Sequence, residues 1–472
     1  MTDPMNQDTI AAIATPMGSG GIGIIRLSGP NSTAIAQELF RPVVRRTPSW
    51  DSRKCDNIPA NRLNYGFICD PQSGAPIDEV LLAIMPGPRS YTREDVVEIQ
   101  SHAGPAILGK LLALVLENGA RLAEPGEFTR RAFLNGRIDL SQAEAVADMI
   151  NARTDQGLKI AALQLSGEMK QTIQMFLKCI DAIFSELTAI VEFPEDVEDR
   201  LDRRQLRHEI RDQLLAPITE LIELYQYGHV MRDGLRLDIV GCPNVGKSSL
   251  LNRLLKKEKA IVTPYPGTTR DLIEDFFTVR GIPFFITDTA GLHASQDPVE
   301  IIGIQKTQAH IVNSDIILFV VDGSQPFSSD DLDVFSQINS GRIILVINKI
   351  DLVNDLGQIH LPKQWARLTR VEVSALRGGG IDNLRNAIAQ LCLSHVPFQP
   401  ARMLIPTLRQ KEALGTAQVA LKRVEGLIGD GTSDELCLAD LDSAKQALHR
   451  INGEQVERDI LDDIFSRFCI GK

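Results

Sequence analysis

The stretch Gly241-Cys242-Pro243-Asn244-Val245-Gly246-Lys247-Ser248 matches G-x-x-x-x-G-K-[ST] and decides the reading of the chain's central third. It follows the apolar run Leu235–Val240, read as a strand, and opens a helix near Lys247. Glycines permit a tight loop whose N–H groups converge on phosphate oxygens. Lys247 adds a point charge at the β/γ-phosphates, and the Ser248 hydroxyl suits Mg²⁺. Asp288-Thr289-Ala290-Gly291 ends the run Ile282–Thr287, which sets Asp288 near the Mg²⁺ shell and Gly291 near the γ-phosphate. Asn348-Lys349-Ile350-Asp351 ends the run Ile343–Ile347. The two acceptor oxygens of Asp351 match the N1–H and N2 amine of guanine, a pair of donors that adenine lacks. Ser374-Ala375-Leu376 fits a backbone contact to guanine O6. Four such elements in this order at strand ends predict a GTP-binding domain. Leu292 stands where Ras-like enzymes carry a water-orienting Gln, so another polar side chain must serve. Thr268 and Thr269, in Gly267-Thr-Thr-Arg-Asp271, are the switch candidates.

Working outward, the runs Ile316–Val321 and Val371–Val373 add two strands, and helices alternate with them, which implies a parallel α/β sheet. The first 130 or so residues mix β-like runs (Gly23–Leu27, Val80–Ile84, Val96–Ile99) with the amphipathic stretch Ala106–Glu117, which reads as a small α+β unit. From Leu158 to Ile190 apolar residues recur every three or four positions, which predicts one long helix broken at Pro194. Leu206, Ile210, Leu214, Ile218, Leu221 and Tyr225 predict another, and helical spacing returns at Val456, Ile460, Ile464 and Phe468. Helices thus flank the α/β unit on both sides, as if it were inserted into a helical domain.

Lys and Arg number 50 against 61 Asp and Glu, a net charge of −11 in 472 residues, so the chain as a whole has no attraction for phosphate backbones. With 43% hydrophobic residues it has ample core material and is not a disordered or disulfide-scaffold chain. Seven Cys without a CxxC pair suggest free thiols in a reducing compartment. With no secretion signal and no apolar run of spanning length, a cytoplasmic location is expected.

Era and Der, the ribosome-assembly GTPases, share parts of the central motifs, and a switch of that kind is the alternative reading. The flanks differ from theirs. Asp8–Pro16, Gly21–Gly29, Ser90–Glu98, Pro125–Gly136, Asp139–Ala145 and the terminal Phe468-Cys469-Ile470-Gly471-Lys472 resemble the MnmE/TrmE tRNA-modification GTPase family over the chain from about residue 8 onward. The resemblance implies a multidomain α+β protein. Its parts are an N-terminal α/β folate-binding and dimerisation domain (1–130), a helical-bundle domain in two parts (131–232 and 394–472) and an inserted P-loop, Ras-like G domain (233–393). It implies a homodimer and a heterotetramer with an FAD-containing MnmG/GidA partner. Together they would add a (carboxymethyl)aminomethyl group to C5 of the wobble uridine of certain tRNAs. By the same resemblance the one-carbon unit would come from 5-formyl- or 5,10-methylene-tetrahydrofolate, and GTP hydrolysis would be K⁺-stimulated.

Carried over by position, Asn244 and the carbonyls of Thr263, Tyr265 and Thr268 would hold K⁺, and Ser248 and Thr269 would hold Mg²⁺. Glu300 would orient the water. Val245, Gly246, Ser249, Pro264, Pro266 and Gly267 would join the motif residues around GTP, and Arg26, Glu98, Arg137 and Lys472 would bind folate. Arg137 stands where Lys is usual, and His102-Ala103-Gly104 replaces H-G-G. Tyr265 replaces a common Ile, and His293-Ala294 replaces Arg-Glu.

Three smaller signals are weighed against function. Gly18-Ser-Gly-Gly-Ile-Gly23 matches G-x-G-x-x-G but precedes a β-branched run rather than a helix, so it is not a dinucleotide fingerprint. Cys469 could be a reactive thiol, but without an assured basic neighbour it reads as a buried structural Cys. Arg200, Arg203, Arg204, Arg207 and Arg211 alternate with Asp199, Asp202, Glu209 and Asp212, which reads as a salt-bridged exposed helix rather than an RNA surface.

Overall fold

The computed structural model describes residues 8–16, 18, 20–43, 58–192, 202–256, 275–286, 314–338, 342–355, 357, 359–393, 404–430, 434–454 and 458–472. Expectations for Pro194, Arg200, Thr263–Thr269, Asp288–Leu292, His293, Ala294, Glu300 and Val456 lie outside the described residues.

Seven strands form the first sheet: β1 (Ile10–Ile13), β2 (Gly23–Ser28), β3 (Phe40–Pro42), β4 (Leu63–Cys69), β5 (Pro76–Met85), β6 (Val96–Ser101) and β7 (Arg121–Leu122). Their order is β3-β4-β5-β6-β2-β1-β7. All neighbours pair antiparallel except β1 with β7. The unit is therefore α+β, as its residue pattern predicts, and this corrects the α/β label that the family resemblance implied for it; hairpin-connected strands need no crossover helices. Helices Ser32–Leu39 and Pro105–Glu117 bury Ile35, Leu39, Leu108 and Leu111 against Ile25, Leu27, Val97 and Ile99 of the sheet.

The apolar stripe expected as one helix is two, Asp155–Leu165 and Glu168–Glu192. Gly167 between them takes φ +85°, a left-handed value that ends a helix. The break also rotates the first helix: Leu158 is exposed, while Gln164 is buried and donates to the Ile405 carbonyl. Helix Arg203–Glu209 passes through a π-helical turn, Ile210–Leu215, into helix Ala216–Arg232. Pro217 has no N–H, so the regular ladder cannot run through it. All six expected positions from Leu206 to Tyr225 are buried. Helices Leu408–Asp430 and Asp434–Asn452 complete the bundle core with Leu421, Val424, Leu441 and Leu448. The last helix, Arg458–Ser466, ends before Phe468 and buries Phe465 rather than Ile464.

The second sheet holds β8 (Leu235–Val240), β9 (Asp275–Val279), β10 (Ile282–Ile286), β11 (Ile316–Asp322), β12 (Ile343–Asn348) and β13 (Thr369–Glu372), in the order β13-β12-β11-β8-β10-β9. It is parallel except for β9, an unanticipated strand that hairpins into β10 through Arg280-Gly281, both at positive φ. Ile316–Val321 in β11 is buried at every position, as expected of a central strand covered on both faces. Where helix Ala216–Arg232 leads into β8, Asp148 lies 3.4 Å from Arg232. Burial pushes the Asp148 carboxyl up to about 6, with the Arg232 guanidinium opposing the rise. Among the described residues no helix is long and apolar enough to cross a membrane.

Candidate functional site

Ligands of open α/β sheets sit beyond the carboxyl ends of the strands. There β8 delivers the loop 241–246, β12 delivers Asn348–Asp351 and β13 delivers Ser374–Leu376. Asn348 ties all three together. It is 2% exposed; its Nδ2 donates to the Val245 carbonyl at 2.8 Å, and its Oδ1 accepts from the Ala375 N–H at 3.0 Å. Gly246, at φ +99°, lies so close that a Cβ there would run into the Asn348 amide nitrogen. Lys349 stands at φ +63° and pairs with Asp322 at 2.7 Å. Asp351 Oδ1 accepts from Ser374 Oγ at 2.6 Å, and this hydrogen bond holds the carboxyl below its usual range. The carboxylate expected to read the base is thus ionised and held in place by Ser374.

In the phosphate loop Asn244 is exposed at φ +65°. Lys247 Nζ donates to the Gly241 and Cys242 carbonyls at 2.8 and 2.9 Å. Ser248 and Ser249 are exposed in the first turn of helix Lys247–Lys256. Arg253 on that helix escaped the sequence reading. Its guanidinium donates to the carbonyls of Ala375 and Leu376 at 3.0 and 2.5 Å and fixes the loop whose Leu376 side chain is 75% exposed. Its signal was its place, six residues after Lys247 on a helix beside the site.

A second cluster forms around Arg26 and Glu98, cross-strand partners on β2 and β6 that pair at 2.9 Å. Arg26 also donates to the Gly471 carbonyl at 3.3 Å, 445 residues away in sequence. Its guanidinium lies 5.9 Å from the Tyr91 ring centre and 5.7 Å from that of Phe128. Arg137 covers the Tyr91 ring at 4.7 Å. Arg26 and Arg137 therefore meet over Tyr91, with Glu98 joined to them through Arg26; nothing local in the segment Ser90–Glu98 marks that aromatic out. Lys472 follows Gly471 in a turn in which its N–H donates to the Cys469 carbonyl at 3.3 Å; the contact of this segment with the cluster is the Gly471 carbonyl. His102 lies in the turn that leads to helix Pro105–Glu117, with Nδ1 2.7 Å from Asp78 Oδ1.

Helix Glu127–Leu134 supplies Phe128 and also Thr129, which bonds the Tyr91 hydroxyl at 3.0 Å. Its anchor is Arg131, 2% exposed and paired with Asp8, Glu94 and Glu127. Burial raises Asp8 and Glu127, but the Arg121 and Arg131 guanidiniums outweigh it and hold both carboxyls below their usual range.

Two smaller expectations are adjusted. Cys469 is exposed, not a buried structural thiol, because Phe468 takes the buried place beside it. The arginine-rich helix is salt-bridged, but to other helices: Arg203 grips Asp434 with two bonds at 2.8 and 2.9 Å, and Arg207 and Arg211 pair with Glu425.

Residues 140–469 match the family model for the MnmE helical domain, and residues 9–137 match that for the GTP-binding protein TrmE N-terminus. A tRNA modification GTPase MnmE from Carboxydothermus hydrogenoformans is 42% identical over 99% of this chain and 100% of its own length. The protein of that name from Geobacter sulfurreducens is 42% identical over 99% of each chain. Among solved structures, Aquifex aeolicus Era bound to GDP·AlF4⁻ is 28% identical over 39% of this chain and 66% of its own, with a TM-score of 0.26. The G domain of the T. maritima FeoB iron transporter is 24% identical over 33% of this chain and 98% of its own, with a TM-score of 0.25.

Proposed function

The chain belongs to the MnmE/TrmE family, and from that membership we propose that it is a cytoplasmic, K⁺-stimulated GTP hydrolase acting in tRNA modification. In this reading it works as a homodimer with an FAD-containing MnmG/GidA-type partner. The product carries a (carboxymethyl)aminomethyl group on C5 of the wobble uridine. The observation that carries the GTPase part is the Asn348 bridge, which couples the phosphate loop to both guanine-reading loops. Lys247 and the loop N–H groups would cradle the phosphates, Ser248 and Thr269 would hold Mg²⁺, and Asn244 with the Thr263, Tyr265 and Thr268 carbonyls would hold K⁺. Glu300 would orient the water in place of the missing Gln.

The one-carbon part is supported by the chemistry of the second cluster. Arg26, Arg137 and Lys472 offer cations to a folate glutamate tail, and Glu98 offers acceptors to the donor edge of a pterin. When bound, a tetrahydrofolate supplies the carbon unit. Calorimetry with 5-formyltetrahydrofolate should show binding to the wild type and its loss in Glu98→Ala; a wild type that does not bind refutes the folate assignment. The test of the whole reading is mass analysis of tRNA nucleosides from a strain lacking the gene, with and without the gene restored. The C5-substituted uridine should vanish and return. An unchanged nucleoside profile with defective ribosomal subunits would favour the Era/Der-type alternative.

A further inference from the structure

A cavity of about 630 Å³ opens between helix Glu127–Leu134 with the turn that follows it, the start of helix Glu168–Glu192, and the end of helix Asp434–Asn452. Two of its lining side chains are more than nine-tenths buried and incompletely bonded. Asn452, 4% exposed, has no partner for either Nδ2 or Oδ1. Asp139, 6% exposed, takes the Gln142 N–H on Oδ1 and leaves Oδ2 without a partner. Buried polar groups are nearly always satisfied, so three orphaned atoms around one cavity need a reason.

The backbone holding them is fixed from several sides. Ser141 and Arg409 both donate to the Ile451 carbonyl, at 3.2 and 3.1 Å, and Arg409 donates to the Arg450 carbonyl at 2.6 Å. Gly453, at φ +88°, lets the chain pass Phe133 where a Cβ would sit 2.8 Å from its ring. Asp139 is locked by a reciprocal capping box with Gln142. The backbone of this wall is fixed, whereas the three orphaned atoms are closed to solvent; Asn452 must turn to meet a ligand, and no side-chain hydrogen bond of its own breaks when it does.

A primary amide presents a donor and an acceptor side by side, the complement of the N–H and C=O edge of a pyrimidine. Enzymes that act on a base take it out of the stack and read that edge in a pocket with an apolar or aromatic face, here Phe133. The volume lies within the range of roughly 300–1,000 Å³ typical of ligand sites. Gly136 and Ile138 line the cavity on either side of Arg137, whose guanidinium covers Tyr91 in the Arg26 cluster. The same short segment therefore borders both places.

We propose that this cavity seats the extruded uracil of the tRNA substrate, read by the Asn452 amide, with Asp139 Oδ2 accepting from a ribose hydroxyl and Lys170 facing the adjoining phosphate. The inference rests on the tRNA-modification reading and adds the seat of the base.

The test uses the full chain and an anticodon stem-loop RNA with uridine, cytidine or an abasic site at the wobble position, followed by fluorescence anisotropy. The wild type should prefer uridine over the abasic RNA by tenfold or more, the discrimination expected of one bidentate amide–base pair. Asn452→Leu should erase that preference while its thermal midpoint stays level or rises, because a buried amide without a partner has been removed. Asp139→Asn keeps a good helix cap but turns the free acceptor into a donor, and it should weaken uridine RNA binding severalfold. GTP hydrolysis should be unchanged in both. A wild type blind to the base, or an Asn452→Leu variant that keeps the preference, overturns the proposal. Expressing the same variants in the deletion strain separates the two failures. If the wild type does not restore the modified nucleoside, the functional reading fails; if the wild type and Asn452→Leu restore it equally, only the uracil seat fails.

Discussion

Replacing Asn348 by Ala removes both arms of the bridge between the loop 241–246 and the loops that follow β12 and β13. The side chain is 2% exposed, and its partners belong to Val245 and Ala375, at 5% and 4%. The Val245 carbonyl loses a 2.8 Å bond and the Ala375 N–H a 3.0 Å bond, in a place that water does not readily reach. Leaving a buried backbone group unsatisfied costs about 1–3 kcal/mol, so the pair should cost about 2–6 kcal/mol of stability. The chain has two tryptophans, and Trp365 is fully buried against Phe319, Phe327 and Phe335 beside the second sheet. In a Trp50→Phe background its fluorescence reports guanidinium unfolding of this unit alone. The control is Lys349→Ala, whose ion pair with Asp322 is one-third exposed on the lysine side and should cost about 0–1 kcal/mol. If Asn348→Ala costs less than about 1 kcal/mol, or no more than the control, the bridge does not hold the loops and the reasoning fails.

Other outcomes follow from the same geometry. Asp351→Asn turns one acceptor into a donor facing the guanine donors, so GTP affinity should fall while xanthosine triphosphate gains relatively; equal GTP affinity in fluorescent-nucleotide titration refutes the assignment. Asn244→Ala should abolish the excess of the hydrolysis rate in K⁺ over that in Na⁺, and an unchanged rate ratio counts against a cation at this residue. Asp148 has a raised folded pKa, about 6 against 3.8, so its stabilising contribution is complete below pH 3.8 and is lost as pH rises through 6. Asp148→Asn should remove that part of the pH slope and raise stability at pH 7 by on the order of 1–3 kcal/mol relative to wild type. Parallel stability–pH curves for the two proteins between pH 4 and 7 would dismiss the burial argument.

The second sheet was readable because its parallel strands are continuous apolar runs with the motif residues at their carboxyl ends; Leu235–Val240 matches its strand residue for residue. β9 was missed because Asp275-Phe-Phe-Thr-Val alternates weakly and its turn, Arg280-Gly281, lacks the usual Asn or Asp. The helical stripe from Leu158 to Ile190 kept its period across Gly167, so spacing alone could not show the break that a left-handed glycine imposes. Among the site residues, Asn348 and Asp351 carry their chemistry in a local tetrapeptide. Tyr91 and Asn452 do not. Their surroundings are assembled from distant segments, Arg26 and Arg137 for one, Phe133 and Asp139 for the other, and no local pattern encodes that meeting.

The hydrogen bond from Arg26 to the Gly471 carbonyl sets an order on biosynthesis. Some 445 residues separate the two groups, and at roughly 5–20 residues per second a ribosome needs about 20–90 s to travel between them. Throughout that interval the first sheet can fold and Arg26 can find Glu98, yet the cluster lacks its last wall. Gly471 must then fit against the Ile13 carbonyl and Ala14 on the already formed β1 side of the sheet, where a Cβ would collide. A nascent chain therefore carries an unfinished Arg26 cluster until synthesis is nearly over. Truncated products released early would hold a folded first sheet without a completed site.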